Sequence, residues 1–285
     1  MKIPKRIRPL VENGLVDEVI GSLMSGKEAD VFVVRCGTEI RCAKVYKEAG
    51  KRAFKQAVTY QEGRKVRNSR RGRAMGKGSK FGREQQEEEW QSAEVTALYT
   101  LAGIGVRVPK PYGCFDGVLL MELITYDGDE VAPRLNDVSM TKEQALDDHK
   151  TLMHDIMRML CAGIVHGDLS PFNVLLDDYG PVIIDLPQAV DAASNNNAEK
   201  MHLRDVENIT NYYAQYAPEL SSTRYAPEMW TLYEAGDLLP TTELTGHFEE
   251  DNEAADVDTV LEEISQAFME EQSRLERIRK AETDG

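Results

Sequence analysis

The chain has 285 residues, of which 41% are hydrophobic and 29% are charged, a composition typical of a soluble globular protein. Its net charge of −15 argues against a protein that coats nucleic acid with its whole surface. No apolar run approaches the roughly 20 residues that a membrane-spanning helix needs, so we expect no membrane partner.

The N-terminal sequence and the pattern of cysteines both favour a cytoplasmic location. The basic N-terminus has no apolar segment behind it, so it does not predict a secretory signal. The four cysteines are scattered and include no Cys-x-x-Cys pair, which favours reduced, buried thiols over disulfides or a zinc site. They are Cys36, Cys42, Cys114 and Cys161.

Charge is unevenly distributed along the chain. The segment from Arg64 to Arg83 has nine basic residues and no acidic one, whereas residues 249–271 have ten acidic residues and no basic one. The basic segment is polar and has little to bury. It is either a solvated flexible loop or a contact for RNA, a ribosomal particle or an acidic partner, open to phosphorylation at Ser69 or Ser79.

The first predicted elements surround a lysine. Residues 1–20 are too short for a domain, and we predict an N-terminal extension with a helix over 9–19. A turn at 25–30 leads into two strands, the second of which carries Lys44. A lone strand lysine is usually a solvated edge residue, but a lysine on the strand after a phosphate-covering turn is also the arrangement of protein kinases. The turn has one glycine, carries Lys27, and is not a Walker A motif.

A helix over 84–103 is predicted next by apolar residues at helical spacing. Glu94 on this helix is the candidate ion-pair partner of Lys44. Two strands follow, at 112–115 and 118–123. The second ends where a kinase chain would cross between its lobes, so the main-chain groups of Glu122 and Ile124 are candidates for hydrogen bonds to adenine.

Thr141, with Gln144 three residues later, predicts a capping box at the start of a helix that ends at Gly163. Its apolar stripe predicts core packing. His149 and His154 are interpreted as ordinary helix residues without a ligand role. This helix delivers the chain to the segment 166–173.

The segment 166–185 contains the residues with the clearest chemistry, Asp168, Asn173 and Asp185. Two short apolar runs between Asn173 and Asp185 predict a β-hairpin, which would return Asp185 to the neighbourhood of Asn173. The Asp-x-x-x-x-Asn spacing is that of the kinase catalytic loop, followed by a metal-binding aspartate. The alternative is a loop-capping aspartate and asparagine beside an ordinary hairpin.

Two more helical segments are predicted near 201–216 and 222–235. The Ala-Pro-Glu triplets at 217–219 and 226–228 are interpreted as helix starts. Residues 249–285 are predicted to form an acidic helical tail. The remainder, 21–248, is predicted to be one domain with lobes of about 21–122 and 123–248.

In this order the segments resemble the RIO family of atypical serine/threonine protein kinases. The match covers roughly residues 20–248 and indicates the branch without an N-terminal winged helix. The family's differences from ordinary kinases recur here: the chain lacks a multi-glycine loop and has Ser170 in place of the lysine after the catalytic aspartate. The basic segment from Arg64 to Arg83 departs from the family pattern. The resemblance is carried by the Ser-Gly-Lys-Glu-Ala turn at 25–29, Lys44, the runs 105–111, 121–124 and 132–135, the loop 166–173 and Ile184-Asp185.

This resemblance implies an α+β, bilobal protein-kinase-like fold with a trimmed C-lobe that lacks the usual peptide-binding subdomains. It also implies ATP-dependent transfer of phosphate to serine, including autophosphorylation. The implied nucleotide-binding residues are Ser25, Lys27, Lys44, Glu94, Glu122 and Ile124.

For the reacting groups, the resemblance implies that Asp168 aligns and deprotonates the attacking hydroxyl, and that Asn173 and Asp185 hold Mg²⁺ or Mn²⁺. Asp185 is also a candidate phosphate acceptor in this family. Two other functions stay open: an ATPase switch in the maturation of the small ribosomal subunit or of another RNA–protein particle, and a nucleotide-binding scaffold without catalysis. The sequence does not identify the protein substrate.

Overall fold

The computed structural model describes residues 3–26, 29–47, 93–128 and 130–249. Lys27, the basic segment from Arg64 to Arg83, and the tail beyond residue 249 lie outside these ranges, so the predictions that concern them stay predictions. Within the described ranges, no helix is both long enough and apolar enough to cross a membrane.

The first half of the described chain is built on a five-stranded antiparallel sheet. The strands have the spatial order β1-β2-β3-β5-β4, and a helix, α2, covers residues 93–103 between β3 and β4. The predicted strands around Lys44 and near 112–123 are therefore present. The strand bounds are β1 Glu18–Ser25, β2 Ala29–Cys36, β3 Glu39–Tyr46, β4 Pro111–Phe115 and β5 Val118–Glu122.

The prediction of an N-terminal helix over residues 9–19 was wrong. Helix α1 covers only Arg8–Glu12, and Gly14 follows it with a φ of 71°, a left-handed conformation that ends the turn. Strand β1 then begins at Glu18 and runs through the expected boundary at residue 20. We did not predict β1, because this edge strand exposes most of its side chains and has two register shifts that break the usual alternation. The division into domains otherwise stays a prediction.

The second half is mainly helical, with short strand pairs between the helices. Its main helices pack around a core that is rich in leucine, methionine and tyrosine. The helix bounds are α3 Lys142–Cys161, α4 Ala198–Tyr213 and α5 Tyr225–Ala235. The short strands are β6 Thr125–Tyr126, β7 Glu130–Val131, β8 Ile164–Val165, β9 Val174–Asp177, β10 Gly180–Ile183 and β11 Val190–Asp191. A sheet-based half and a helical half agree with the α+β prediction.

Helix α3 follows its sequence signals closely. The Thr141 hydroxyl accepts a hydrogen bond from the Gln144 amide at 3.2 Å, and Gly163 has a φ of 72° just after the last turn. His149 is buried, and its Nε2 lies 2.9 Å from the hydroxyl of Thr210 on α4. It therefore packs between α3 and α4, which agrees with its interpretation as an ordinary helix residue.

The four cysteines are free, as predicted, but only Cys42 is buried. Cys36 and Cys161 are half-buried and Cys114 is exposed, so the prediction of four buried thiols was wrong in detail. Burial raises the pKa of the Cys42 thiol to about 12, which keeps it protonated and unreactive.

A polar cluster interrupts the core between α3 and α4. The Asp148 side chain is 8% exposed, and its Oδ2, like the Tyr213 hydroxyl, has no hydrogen-bond partner among the described residues. Burial, and to a smaller extent the charge of Asp147, raises the pKa of Asp148 from 3.8 to about 6. The folded protein therefore favours the protonated acid more strongly than the unfolded chain does.

We expect Asp148→Asn to stabilise the protein at pH 8. Because the pKa of Asp148 is higher in the folded protein, protonation of Asp148 stabilises the fold. This contribution to the free energy of unfolding is fully present below pH 3.8 and is lost as the pH rises through about 6. Asparagine is neutral throughout, so the gain should be about 1–2 kcal/mol at pH 8 and should vanish near pH 4. Urea unfolding at both pH values measures this, with the exposed substitution Asp237→Asn, at a residue that does not contribute to the Asp148 pKa, as the control. A gain of equal size at both pH values would contradict the electrostatic explanation.

Candidate active site

The centre of the candidate site is a buried lysine with two carboxylate partners. Lys44 Nζ lies 2.6 Å from Glu94 Oε1 and 2.7 Å from Asp185 Oδ1. The Lys44 side chain is 11% exposed, so Lys44 is not the solvated edge lysine of the alternative interpretation. Burial alone would lower the pKa of Lys44, but Glu94 and Asp185 together hold it above its usual value. The lysine is therefore a fixed positive charge.

Tyr46 is a member of this cluster that the sequence analysis missed. Its hydroxyl donates to Glu94 Oε2 at 2.5 Å, so both carboxylate oxygens of Glu94 are held. Burial, followed by the charge of Glu94, raises the pKa of the tyrosine, which keeps its proton in place for this hydrogen bond. The available signal was the spacing: residues 44 and 46 lie on the same face of β3.

The hairpin β9–β10 brings Asp185 to Asn173, as predicted. The Ile184 amide donates to the Asn173 carbonyl at 3.0 Å, immediately before Asp185. Asp185 has a φ of 66°, which is uncommon for a residue other than glycine and is often found at functional positions. Burial would raise its pKa, but Lys44, with smaller contributions from His166 and Arg134, keeps the pKa of this carboxyl below its usual range.

Asp168 lies in the loop before the hairpin and is exposed. Its Oδ2 accepts a hydrogen bond from Gln188 Nε2 at 3.1 Å, and its main-chain carbonyl accepts one from Asn173 Nδ2 at 2.9 Å. Although the residue is exposed, partial desolvation of its carboxyl is the first cause that raises its pKa; Asp185 adds to this effect and Arg204 opposes it. A carboxylate with a raised pKa is better suited to accept a proton. Gln188, which lies three residues after Asp185, was not predicted from the sequence.

Helix α4 fixes the main chain of this loop. Asp205 accepts the Gly167 amide at 2.7 Å and the Leu169 amide at 3.1 Å, and Asn208 Nδ2 donates to the Leu169 carbonyl at 3.1 Å. Arg204 donates to the Gly167 carbonyl. Burial raises the pKa of Asp205 to about 7 despite these donors. These three residues were not predicted from the sequence, although a carboxylate at Asp205 among the apolar positions of a helix was a usable signal, because buried polar groups need hydrogen-bond partners.

We expect Asp205→Ala to lower the free energy of unfolding by about 2–4 kcal/mol, because two amides lose their acceptor. It should also impair catalysis, since the loop that carries Asp168 loses its anchor. Urea unfolding and activity assays measure the two effects. Asp205→Asn, which keeps one acceptor oxygen, should fall between the wild type and the alanine variant. Equal stability of all three proteins would contradict the anchoring role.

The turn after β1 is described on both sides of Lys27. The Ser25 hydroxyl donates to Asp30 Oδ1 at 2.5 Å. Lys47 Nζ donates to the Gly26 carbonyl at 2.5 Å and lies 3.0 Å from Asp30 Oδ1. Ser25 therefore stabilises the turn itself. The position of the Lys27 side chain lies outside the described residues, and its role stays a prediction.

The connection between the two halves holds the last two predicted residues. The Glu122 side chain pairs with Arg107 at 3.4 Å and accepts the Lys110 amide at 3.1 Å. The Ile124 carbonyl accepts the Ala132 amide at 3.0 Å. The side chain of Glu122 thus stabilises the connection, while the Ile124 N–H is the group of Ile124 that could serve a ligand.

The hydrogen bond from the Ile184 amide to the Asn173 carbonyl brings together the backbone of two residues with oxygen donors, the amide of Asn173 and the carboxylate of Asp185. In the described part of the chain, no group of three or more His, Cys, Asp or Glu side chains is arranged to hold a metal. Two oxygen donors suit Mg²⁺ when substrate phosphates and water complete its coordination. The donor chemistry therefore fits a nucleotide-associated Mg²⁺ site, not a closed protein cage.

The site has the groups typical of a protein kinase: a strand lysine paired to a helix glutamate, a loop aspartate, and a second aspartate after a hairpin. The two-part α+β architecture is that of the bilobal protein-kinase fold. The sequence matches the family described as "RIO domain" over residues 30–226. The chain therefore belongs to the RIO kinase family, which confirms the predictions of the family, the fold class and the type of enzyme.

Two archaeal relatives are both called "RIO-type serine/threonine-protein kinase Rio1". The chain is 32% identical to the one from Haloferax volcanii over 208 residues, which cover 73% of this chain and 67% of that protein. It is 34% identical to the one from Methanocaldococcus jannaschii over 200 residues, which cover 69% of this chain and 63% of that protein. The chain thus spans about two thirds of the length of these relatives.

A solved structure is similar in fold. It is the Rio2 kinase–ADP/Mg²⁺–phosphoaspartate complex from Chaetomium thermophilum, with a TM-score of 0.53 and 22% sequence identity. The similarity covers 74% of this chain and 59% of that one. The branch of the family to which this chain belongs stays a prediction.

Proposed function

We propose that this chain transfers the γ-phosphoryl group of ATP to serine, on other proteins and on itself. The observation that carries the proposal is the Lys44–Glu94–Asp185 cluster. In this cluster the charged Lys44 Nζ lies 2.7 Å from Asp185 Oδ1. Phosphoryl transfer depends mainly on positioning and on neutralising phosphate charge. A fixed lysine and a partly exposed carboxylate are the groups that this chemistry needs.

Each residue has a role in this proposal. Lys44 binds the α- and β-phosphates, and Glu94 and Tyr46 keep it in place. Asp168 accepts the proton of the substrate serine hydroxyl. The serine oxygen then bonds to the γ-phosphorus, and the bond from the γ-phosphorus to the β,γ-bridging oxygen breaks, which releases ADP. Asn173 and Asp185 hold Mg²⁺, which supplies charge neutralisation at the phosphates when bound.

The nucleotide base is proposed to lie against the connection between the halves. The Ile124 carbonyl is already used by Ala132, so the Ile124 N–H is the proposed donor to adenine and the main-chain carbonyl of Glu122 is the proposed acceptor. Ser25 and Lys27 are proposed to cover the phosphates, Ser25 by stabilising the turn. Mn²⁺ is an alternative to Mg²⁺, because both accept oxygen ligands.

The test is incubation of the purified protein with γ-labelled ATP, alone and with fractions of cell extract. Label on serine of this protein or of another protein supports the kinase. Release of free phosphate without protein labelling would instead support an ATPase switch. Absence of ATP binding would reject both activities. An RNA or ribosomal partner for the segment from Arg64 to Arg83 and a cytoplasmic location stay predictions.

A further inference from the structure

Arg134 lies at the edge of the candidate site on a segment that is firmly held. It precedes a short 3-10 helix, Leu135–Asp137, and forms an isolated antiparallel bridge with Leu175, two residues after Asn173. The Asp137 amide donates to the Arg134 carbonyl at 2.9 Å. The backbone of Arg134 is therefore fixed beside the strand that follows the catalytic loop.

The side chain of Arg134 reaches across to the opposite half of the molecule. Its guanidinium donates to Met24 Sδ at 2.9 Å. Met24 lies on β1 and directly precedes the turn formed by Ser25 and Gly26. Arg134 thus contacts β9 through its backbone and the end of β1, next to the turn proposed to cover the phosphates, through its guanidinium.

This contact leaves the hydrogen-bonding capacity of Arg134 largely unused. A guanidinium has five N–H donors, and a thioether is a weak acceptor. Among residues 3–26, 29–47, 93–128 and 130–249, no ion pair includes Arg134. A half-buried arginine with a neutral sulfur as its partner is suited to an anion, which it can bind with two parallel hydrogen bonds.

The same region has a need for positive charge. Ordinary kinases have a lysine two residues after the catalytic aspartate, and this chain has Ser170 there. Arg134 is also close enough to contribute, after Lys44 and His166, to the low pKa of the Asp185 carboxyl. Its charge therefore acts on the side of the site where Asp185 lies.

We propose that Arg134 exchanges its contact with Met24 for the phosphate groups of the bound nucleotide. This inference rests on the proposed function, because it assumes that ATP occupies the space beside Lys44 and Asp185. It assigns Arg134 to nucleotide binding, as a second cation beside Lys44. It also predicts selectivity for the phosphates over the nucleoside.

The test compares ATP, ADP and adenosine binding by calorimetry, in the presence of Mg²⁺, for the wild type and Arg134→Gln. A lost charge-assisted contact should weaken ATP binding by about 10-fold or more and leave adenosine binding within about twofold. Arg134→Lys, which keeps the charge, should recover part of the ATP affinity. Arg35→Gln is the matched control, because it removes the same charge from an exposed arginine that pairs with Glu18 at 3.4 Å. Thermal unfolding shows whether each variant is folded.

The competing explanation is that Arg134 only ties β1 to the other half through Met24. In that case Met24→Leu, which removes the sulfur and keeps the volume, would reproduce the effect of Arg134→Gln. Equal weakening of ATP and adenosine binding, or unchanged ATP binding in a folded Arg134→Gln protein, would also overturn the proposal. If the wild-type protein binds neither ATP nor ADP, the proposed function itself fails. If the wild-type protein binds ATP but Arg134→Gln does not change that binding, only the proposed role of Arg134 fails.

Discussion

Asp168→Asn should lower the rate of phosphoryl transfer by about 10²- to 10⁴-fold, the usual contribution of a general base. ATP affinity should stay within about twofold of the wild type, because Asp168 is proposed to act on the hydroxyl and not on the nucleotide. The asparagine keeps an oxygen that can accept from Gln188 Nε2, so the loop should keep its shape. Single-turnover labelling and calorimetry measure the two quantities separately.

The matched control for this substitution is Asp178→Asn in the exposed turn of the β9–β10 hairpin, which should leave both quantities unchanged. Near-normal turnover in Asp168→Asn would show that the assignment of the base is wrong. A loss of ATP affinity in step with the loss of rate would indicate that Asp168 has a structural role. Either result would leave the fold and family of the chain untouched.

Asp185→Ala is expected to remove Mg²⁺-dependent nucleotide binding and activity together. The substitution deletes the charged oxygen donor of the proposed metal site and one of the two partners of Lys44 at 2.7 Å. Calorimetry with and without Mg²⁺ measures the loss: ATP affinity should become independent of Mg²⁺. Asp178→Ala, an exposed carboxylate in the adjacent hairpin, serves as the control. An unchanged Mg²⁺ dependence in the Asp185 variant would reject the metal role.

The same residue gives a separate prediction about a phosphorylated intermediate. If Asp185 also accepts phosphate, wild-type protein in turnover should carry a label that is stable in acid, is released by hydroxylamine and maps to Asp185. The label should be missing from Asp185→Ala. Consistent absence of this label in active wild-type protein would leave Asp185 with the metal role alone.

The local sequence was sufficient for the segments whose partners lie close along the chain. The hairpin after Asn173 brought Asp185 back to it, because paired strand ends must meet. The capping of α3 by Thr141 followed from a contact only three residues long. In such segments the interacting residues have fixed offsets, so a pattern of residue types is enough to predict the geometry.

The pairing of Lys44 with Glu94 is an intermediate case. The two residues are 50 positions apart, and helical spacing placed Glu94 on a helix without showing which way its side chain points. Five glutamates were available in residues 84–103. Glu94 was selected because it lies among the apolar residues at helical spacing, and its contact with Lys44 joins α2 to β3.

What the sequence by itself determined was the family and the fold class, and it supplied the candidate residues for the reacting groups. Only the tertiary structure identified Tyr46 behind Glu94, Asp205 under the catalytic loop, and Arg134 reaching to Met24 across 110 positions. Strand β1 also needed the structure, because its exposed edge carries no alternating pattern. These contacts join side chains that are distant along the chain, and their geometry depends on how separate elements pack, which no local periodicity encodes.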